Sequence, residues 1–383
     1  MTSKARQLAD LGGDTANLED ISSAYSSGAL SNRNFIINSA MQVAQRGTNS
    51  SGVSGTAYVA CDRFYTLLNA LGTYTVSQAS DGPSGFASSL KYECTTADAS
   101  PAAADYFVFQ YRMEGQDLQQ IAKGTSDAKP ITLSFWVKSN VTGTYSMYLR
   151  DIDNNRGVGA NYAISSSGVW EYKTVTIPAD TTGVLDNDND LSFSLEWWLG
   201  SGTDYSSGTM PTTWETENEV DRNAGSTVNV GDTIGNYFQI TGVQLEAGDT
   251  ATPFEHRSFG QELALCQRYF QSSFATGTAP AAGLLISMYV TGTAYSTSAG
   301  TGLGTRFPVD MRSTPTMAYY PATPASGSVG TVSVYTGGAW ANRPAIPHDA
   351  VSPTMQAFDI NASSAFTVGP FMCQYNYTAN AEL

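Results

Sequence analysis

This sequence is poor in charge and poorer still in positive charge. Only 14% of its 383 residues are Asp, Glu, Lys or Arg, and 19 basic side chains stand against 34 acidic ones. The resulting formal charge of −15 repels phosphate backbones and anionic lipid, which argues against a nucleic-acid partner. No run of 18 apolar residues occurs, and the opening MTSKARQLADLGGD lacks the apolar core of a signal peptide. The expectation is a soluble chain made in a cytoplasm, without membrane insertion. Cys61, Cys94, Cys266 and Cys373 show no CxxC spacing, so buried free thiols are expected in place of a zinc ribbon or dithiol site. The two histidines, His256 and His348, fit neither a metal nor a triad spacing, and GxSxG is absent. No repeat of fixed period marks a β-helical shaft. These absences lead to the expectation that the chain is not an enzyme.

What is present describes strands and turns. Thirty-six Gly, abundant Ser and Thr, and 21 Tyr predict an all-β chain of short strands joined by many turns. The length exceeds what one hydrophobic core usually serves, so two β domains are expected after an N-terminal segment. Residues 1–31 read as a short helical or extended docking segment and linker, with Leu8 and Leu11 at helical spacing and Leu18 and Ile21 as isolated contact points. Residues 32–258 carry strand signals throughout, beginning at Phe35–Gln45 and including Ile131–Ser139, Glu171–Ile177, Leu191–Leu199 and Tyr237–Glu246, and predict a jelly-roll sandwich. In Ile131–Ser139 the alternation gives one apolar face, with Trp136 interrupting the other; Gly242 marks an irregularity in Tyr237–Glu246. Residues 259–274 read as a connecting helix. Residues 275–383 read as a smaller β domain whose seven prolines from Pro308 to Pro353 confine strands to short lengths and edges.

Two stretches can carry binding chemistry. Glu196-Trp197-Trp198 runs through a Gly/Ser/Thr-rich loop with Tyr205 to Trp214-Glu215; aromatic rings stack on the C–H faces of sugars while carboxylates and amides take the hydroxyls. Trp197, Trp198, Tyr205, Trp214 and Glu215 are therefore candidate carbohydrate contacts, with Trp214 expected as the exposed ring and one of the adjacent Trp197 and Trp198 in the core. The acidic runs Asp151–Asn155 and Asp186–Asp190 gather oxygen ligands suited to calcium, with Asp186, Asp188 and Asp190 as candidates, though neither run completes an EF-hand loop. Glu215, Glu217, Glu219 and Asp221 read as a solvated acidic run before they read as a hydrolase pair. Arg268-Tyr269 and Arg306-Phe307 read as interdomain packing ahead of interaction hot spots.

Four runs in fixed order carry a family resemblance: NFIINSAMQVAQRG at Asn34–Gly47, TLSFWVKS at Thr132–Ser139, NYFQITGVQLEAGDTATPFEHRS at Asn236–Ser258 and ELALCQRYFQ at Glu262–Gln271. Over roughly residues 30–275 the chain resembles tail-fibre or receptor-binding proteins of tailed bacteriophages, with a jelly roll like a carbohydrate-binding module. Ala44 and Phe64-Tyr65 stand where many relatives carry Trp, so no contact made by those rings carries over. The resemblance implies a virion tail protein synthesised in the host cytoplasm. It implies a homotrimer held to phage tail proteins by the N-terminal segment, which binds host surface polysaccharide or lipopolysaccharide. It also allows a structural calcium ion; no other cofactor is implied. The competing readings are a purely structural virion component, such as a fibre spacer or head appendage, and, further off, a polysaccharide depolymerase. Because surface polysaccharides are often anionic, an acidic binder is expected to need a bridging divalent ion.

Overall fold

The computed structural model describes residues 32–284, 288–296, 298–301, 304–322, 328–347, 351–361 and 368–383. The residues expected to dock, Leu8, Leu11, Leu18 and Ile21, and His348, lie outside them. The fold is all-β. Thirteen strands build the first unit: β1 (Asn49–Val53), β2 (Ala57–Tyr58), β3 (Phe64–Asn69), β4 (Thr73–Ala79), β5 (Ser89–Thr96), β6 (Tyr106–Glu114), β7 (Ile131–Ser139), β8 (Gly143–Asp151), β9 (Arg156–Ile164), β10 (Glu171–Ile177), β11 (Leu191–Ser201), β12 (Glu215–Thr216) and β13 (Tyr237–Ala247). One sheet has the order β1-β4-β5-β13-β7-β10 and the other β12-β9-β8-β11-β6-β3-β2. The chain passes repeatedly from one sheet to the other, which gives a jelly-roll sandwich.

Period-two alternation fills the space between the sheets. Leu133, Phe135 and Val137 from β7 meet Phe193, Leu195, Trp197 and Leu199 from β11, all fully buried. The Trp197 indole stacks on Phe109 at 5.1 Å, and deleting a ring placed like this costs about 3–5 kcal/mol. In β13 the inward set changes parity, from Phe238 and Ile240 to Val243 and Leu245. The register slips between Thr241 and Gln244, where Gly242 takes φ +61°. A Cβ there would also meet the Phe86 ring at 2.7 Å.

Phe35–Gln45 is not a strand, contrary to its apolar text. Asn38 and Met41 both adopt positive φ, and the segment turns back with Ile36, Met41 and Val43 buried. Asn38 holds the turn: its side chain donates to the Val43 and Asp62 carbonyls and accepts from Val43 N–H, while its own N–H donates to Glu262 at 2.7 Å. Asn tolerates the left-handed region because its short amide closes such local bonds. The connecting helix α1 covers Phe259–Gln267 only, with Ser258 as N-cap; Phe270–Ser272 is already β14.

Beyond α1 the strands close into a barrel. β15 (Met288–Ala294), β16 (Ala299–Thr301), β17 (Thr305–Arg306), β18 (Thr316–Pro321), β19 (Thr331–Thr336), β20 (Ala339–Pro347), β21 (Met355–Gln356), β22 (Phe358–Asn361) and β23 (Gly369–Asn380) follow β14. The path β23-β15-β16-β22-β20-β19 is completed by pairing between β19 and β23. β20 was not expected, because it carries Pro344 and Pro347. Val332, Val334, Phe358, Cys373 and Tyr375 form its core, and all four cysteines are unpaired and buried.

Arginines join the two units. Arg268 forks onto the buried Glu114 at 2.7 and 3.1 Å, and Arg63 lies over the Tyr269 ring at 3.4 Å while pairing with Glu382. Arg268-Tyr269 is thus packing between units, and Phe307 is buried as well. Arg46 bridges Glu382 at 3.1 Å and Asp62 at 3.4 Å. Burial pushes Asp62 up to about 6 in spite of Arg46 and the Gln45 hydrogen bonds. The folded chain therefore holds this proton more tightly than the unfolded chain, and stability falls as pH rises from about 4 through the folded value. Urea unfolding at pH 4.5 and 7.5 is expected to show this: in Asp62→Asn the difference between the two pH values shifts by about 2 kcal/mol relative to wild type. An unchanged difference would remove Asp62 as the source.

Candidate functional site

The outward face of β11 carries Ser194, Glu196 and Trp198, since their neighbours Phe193, Leu195 and Trp197 face the core. Glu196 is 0% exposed although it lies on the outer face of its sheet. Its carboxylate accepts from Arg222 Nη2 at 2.5 Å and Nε at 3.2 Å, from Gln110 at 2.8 Å and from the Trp198 indole at 3.1 Å. Arg222 comes from the segment that follows β11, so this pair pulls residues 202–224 down over the sheet. Asn223 N–H donates to the Tyr205 carbonyl at 2.7 Å, and Asp221 accepts from Thr209 N–H at 2.6 Å, which closes the segment on itself.

Between this segment and the sheet lies a cleft of about 250 Å³. Trp198, only 1% exposed, underlies it with Val108 and Leu67, and Tyr106 and Tyr205, 5.2 Å apart edge to face, line it as partly exposed rings. Tyr205 lies 5.3 Å from Trp198. Burial, with Tyr106 and Glu219 nearby, pushes the Tyr205 phenol up, so it stays a neutral hydroxyl donor at ordinary pH. Gln110, Arg112, Arg150, Arg222 and Ser194 supply the polar lining.

Of the five residues proposed as sugar contacts, the structure brings two to the cleft, Trp198 and Tyr205. Trp197 is sealed in the core at 0% exposure and has no route to a ligand. Trp214 is not the exposed ring its loop-forming neighbours suggested. It packs on Phe193 at 5.7 Å, donates its indole N–H to the Pro178 carbonyl at 2.9 Å and lies under Lys123. Glu215 is exposed in the edge strand β12, paired with Gly157, and does not line the cleft. The arginines went unread because they come from β6, β8 and a distant loop, and only the strand order brings them together.

The calcium candidates do not converge either. Asp186 N–H donates to Asp153, Asp190 N–H donates to Asp188, and Asp190 is 83% exposed 3.6 Å from Arg312, so Asp186–Asp190 is a self-bonded turn. Among the described residues no three His, Cys, Asp or Glu side chains form a metal cage. Four oxygens do surround a cation nearby, but that cation is Lys123. Its Nζ lies 2.6 Å from Asp151, 3.0 Å from Asp180, and 2.9 and 3.0 Å from the Thr182 and Gly183 carbonyls. Burial raises the Asp180 pKa, but hydrogen bonds from Arg156 and Lys123 outweigh it and hold the carboxyl below its ordinary value.

No family model matches the chain, and no curated protein matches it. Solved structures similar to it include the enzymatically active domain of bacteriophage CBA120 tailspike protein 4, at 11% identity and a TM-score of 0.30 over 56% of this chain and 21% of that one. The chain thus spans about a fifth of that tailspike. A structure titled for CBM4 matches at 10% identity and TM-score 0.29, over 55% of this chain and 97% of that one. A family 11 carbohydrate-binding module of a Clostridium thermocellum cellulase matches at 11% and 0.27, over 54% and 99%. The strand order, not these distant likenesses, defines the sandwich.

Lys123 generates a prediction about metal removal. Because the ammonium fills the oxygen cage, chelator is expected to leave the melting temperature unchanged. Lys123→Met, which strands the fully buried Asp151, is expected to cost about 3–5 kcal/mol. A melting temperature that drops several degrees in chelator would contradict this assignment.

Proposed function

We propose that the chain binds a saccharide in the cleft under residues 202–224, as a non-catalytic recognition protein of a tailed-phage virion. The observation that carries the binding reading is the convergence of Tyr106, Tyr205 and Trp198 with amide, hydroxyl and guanidinium groups in one cleft. The partly exposed Tyr106 and Tyr205 rings take the apolar faces of a sugar, with Trp198 buried beneath them as support, and the polar lining takes its hydroxyls. Recognition without hydrolysis fits the state of the carboxylates: Glu196 is saturated by donors, and Glu217 lies 3.5 Å from Arg150 and 3.7 Å from Arg222. A hydrolase needs two carboxyl groups free to hold and exchange protons.

The virion assignment rests on the four motif runs that resemble phage tail-fibre proteins. Under that reading the segment 1–31 attaches to the tail, three chains associate, and several weak sugar sites act together on one particle, so that effective concentration raises the avidity. The binding reading is tested with purified full-length chain on a panel of intact bacteria, before and after periodate oxidation of surface sugars. Adsorption to at least one strain is expected, lost on oxidation and weakened about tenfold in Tyr205→Ala, which corresponds to about 1.4 kcal/mol. Adsorption indifferent to both treatments would overturn the proposal, and adsorption to no strain would favour a structural virion part.

A further inference from the structure

The lining of the cleft is richer in arginine than the chain around it. Three arginines line it, Arg112, Arg150 and Arg222, against one glutamate, Glu219. Glu196 and Glu217 lie beneath them as counter-charges, so the local balance is three against three in a molecule of formal charge −15.

The register shows how it is built. Ser194 on β11 pairs with Arg112 on β6 and with Arg150 on β8, so Arg112, Ser194 and Arg150 form one row across three adjacent strands. Cross-strand partners share a face, and strands lie about 4.8 Å apart, so the two arginine positions bracket the serine from about 10 Å apart. Ser194 is 1% exposed, lines the cleft, and its Oγ has no hydrogen-bond partner among the described residues. What sets this hydroxyl apart is its place in the cleft lining, where it is free to donate to a group that enters.

Arg150 is the second open group. Arg222 is spent on Glu196, and Arg112 donates to the Leu383 carbonyl and to Gln110 while lying over the Tyr65 ring. Arg150 has counter-charges, Glu217 at 3.5 Å from its Nε and Glu196 at 3.9 Å from its Nη1, but donates no hydrogen bond to any described residue. A guanidinium fork with unused donors, next to an unpartnered hydroxyl, matches the planar or tetrahedral oxygens of an anion.

We infer that the saccharide held in this cleft is anionic, and that its carboxylate or phosphate sits over Ser194 against Arg150, the one arginine of the three with no hydrogen bond among the described residues. This inference rests on the saccharide reading above and names the ligand class within it. It also removes the need for a bridging divalent ion, because the chain supplies its own cation where the anion lands. Glu219 at the rim disfavours a second negative group there, so one anionic group per bound segment is the expected occupancy.

The test is an array of purified bacterial surface polysaccharides, each printed beside its carboxyl-reduced and its dephosphorylated form and probed with full-length chain in chelator. Binding is expected only to acidic members. It should fall at least tenfold on one of the two treatments, which tells carboxylate from phosphate, and should weaken as salt is raised. Arg150→Met is expected to lose the same tenfold while the chain stays folded, since Glu196 and Glu217 both keep Arg222, and Arg150→Lys to recover part of it. Equal binding to native and neutralised forms would overturn the anionic assignment and leave the saccharide reading intact. Binding to no member would overturn both.

Discussion

Everything assigned to the cleft depends on one buried ion pair on the outer face of a sheet. Glu196 sits where an antiparallel strand normally meets water, yet water does not reach it. A carboxylate deprived of solvent is tolerable only when donors surround it, and Arg222, Gln110 and Trp198 are those donors. Such a pair contributes little net stability against an apolar replacement, but removing one partner is costly. Its effect is to commit residues 202–224 to one position over β6, β8 and β11, and that position creates the cleft.

Alternation explains why this is possible within so short a stretch. Trp197 and Trp198 are adjacent and chemically identical, and one closes the sandwich core while the other underlies the binding face. The same period places Phe193 and Leu195 inside and Ser194 and Glu196 outside. The outer face then acquires its chemistry from neighbouring strands, with Gln110 and Arg112 on one side and Tyr148 and Arg150 on the other.

Period-two text was legible wherever one face met the core. Ile131–Ser139 and Glu171–Ile177 fall at the strand limits expected from their residues, and Gly242 marks a true bulge. The reading failed where apolar residues served a different geometry. In Phe35–Gln45 they line a turn held by Asn38, whose amide replaces ladder hydrogen bonds, and in Ala339–Pro347 pairing with β19 persists through Pro344. Within the site, Trp198 and Tyr205 were legible because aromatic side chains in a polar loop are conspicuous. Arg112, Arg150 and Ser194 were not, because their meaning comes from a row across β6, β11 and β8, whose order no local pattern states. The calcium expectation failed similarly: the acidic text was there, but Lys123 from a distant turn had taken the oxygens of Asp151 and Asp180.

The most direct test of the central claim is amide hydrogen exchange in Arg222→Met, a change that takes from Glu196 its hydrogen-bonded cation and leaves only Arg150 at 3.9 Å. If the pair builds the cleft, the amides of residues 202–224 exchange at least tenfold faster than in wild type, while those of β7 and β13 keep their protection. Unchanged protection across residues 202–224 would show that the segment holds its place without the pair, and the account of the site would be wrong at its foundation.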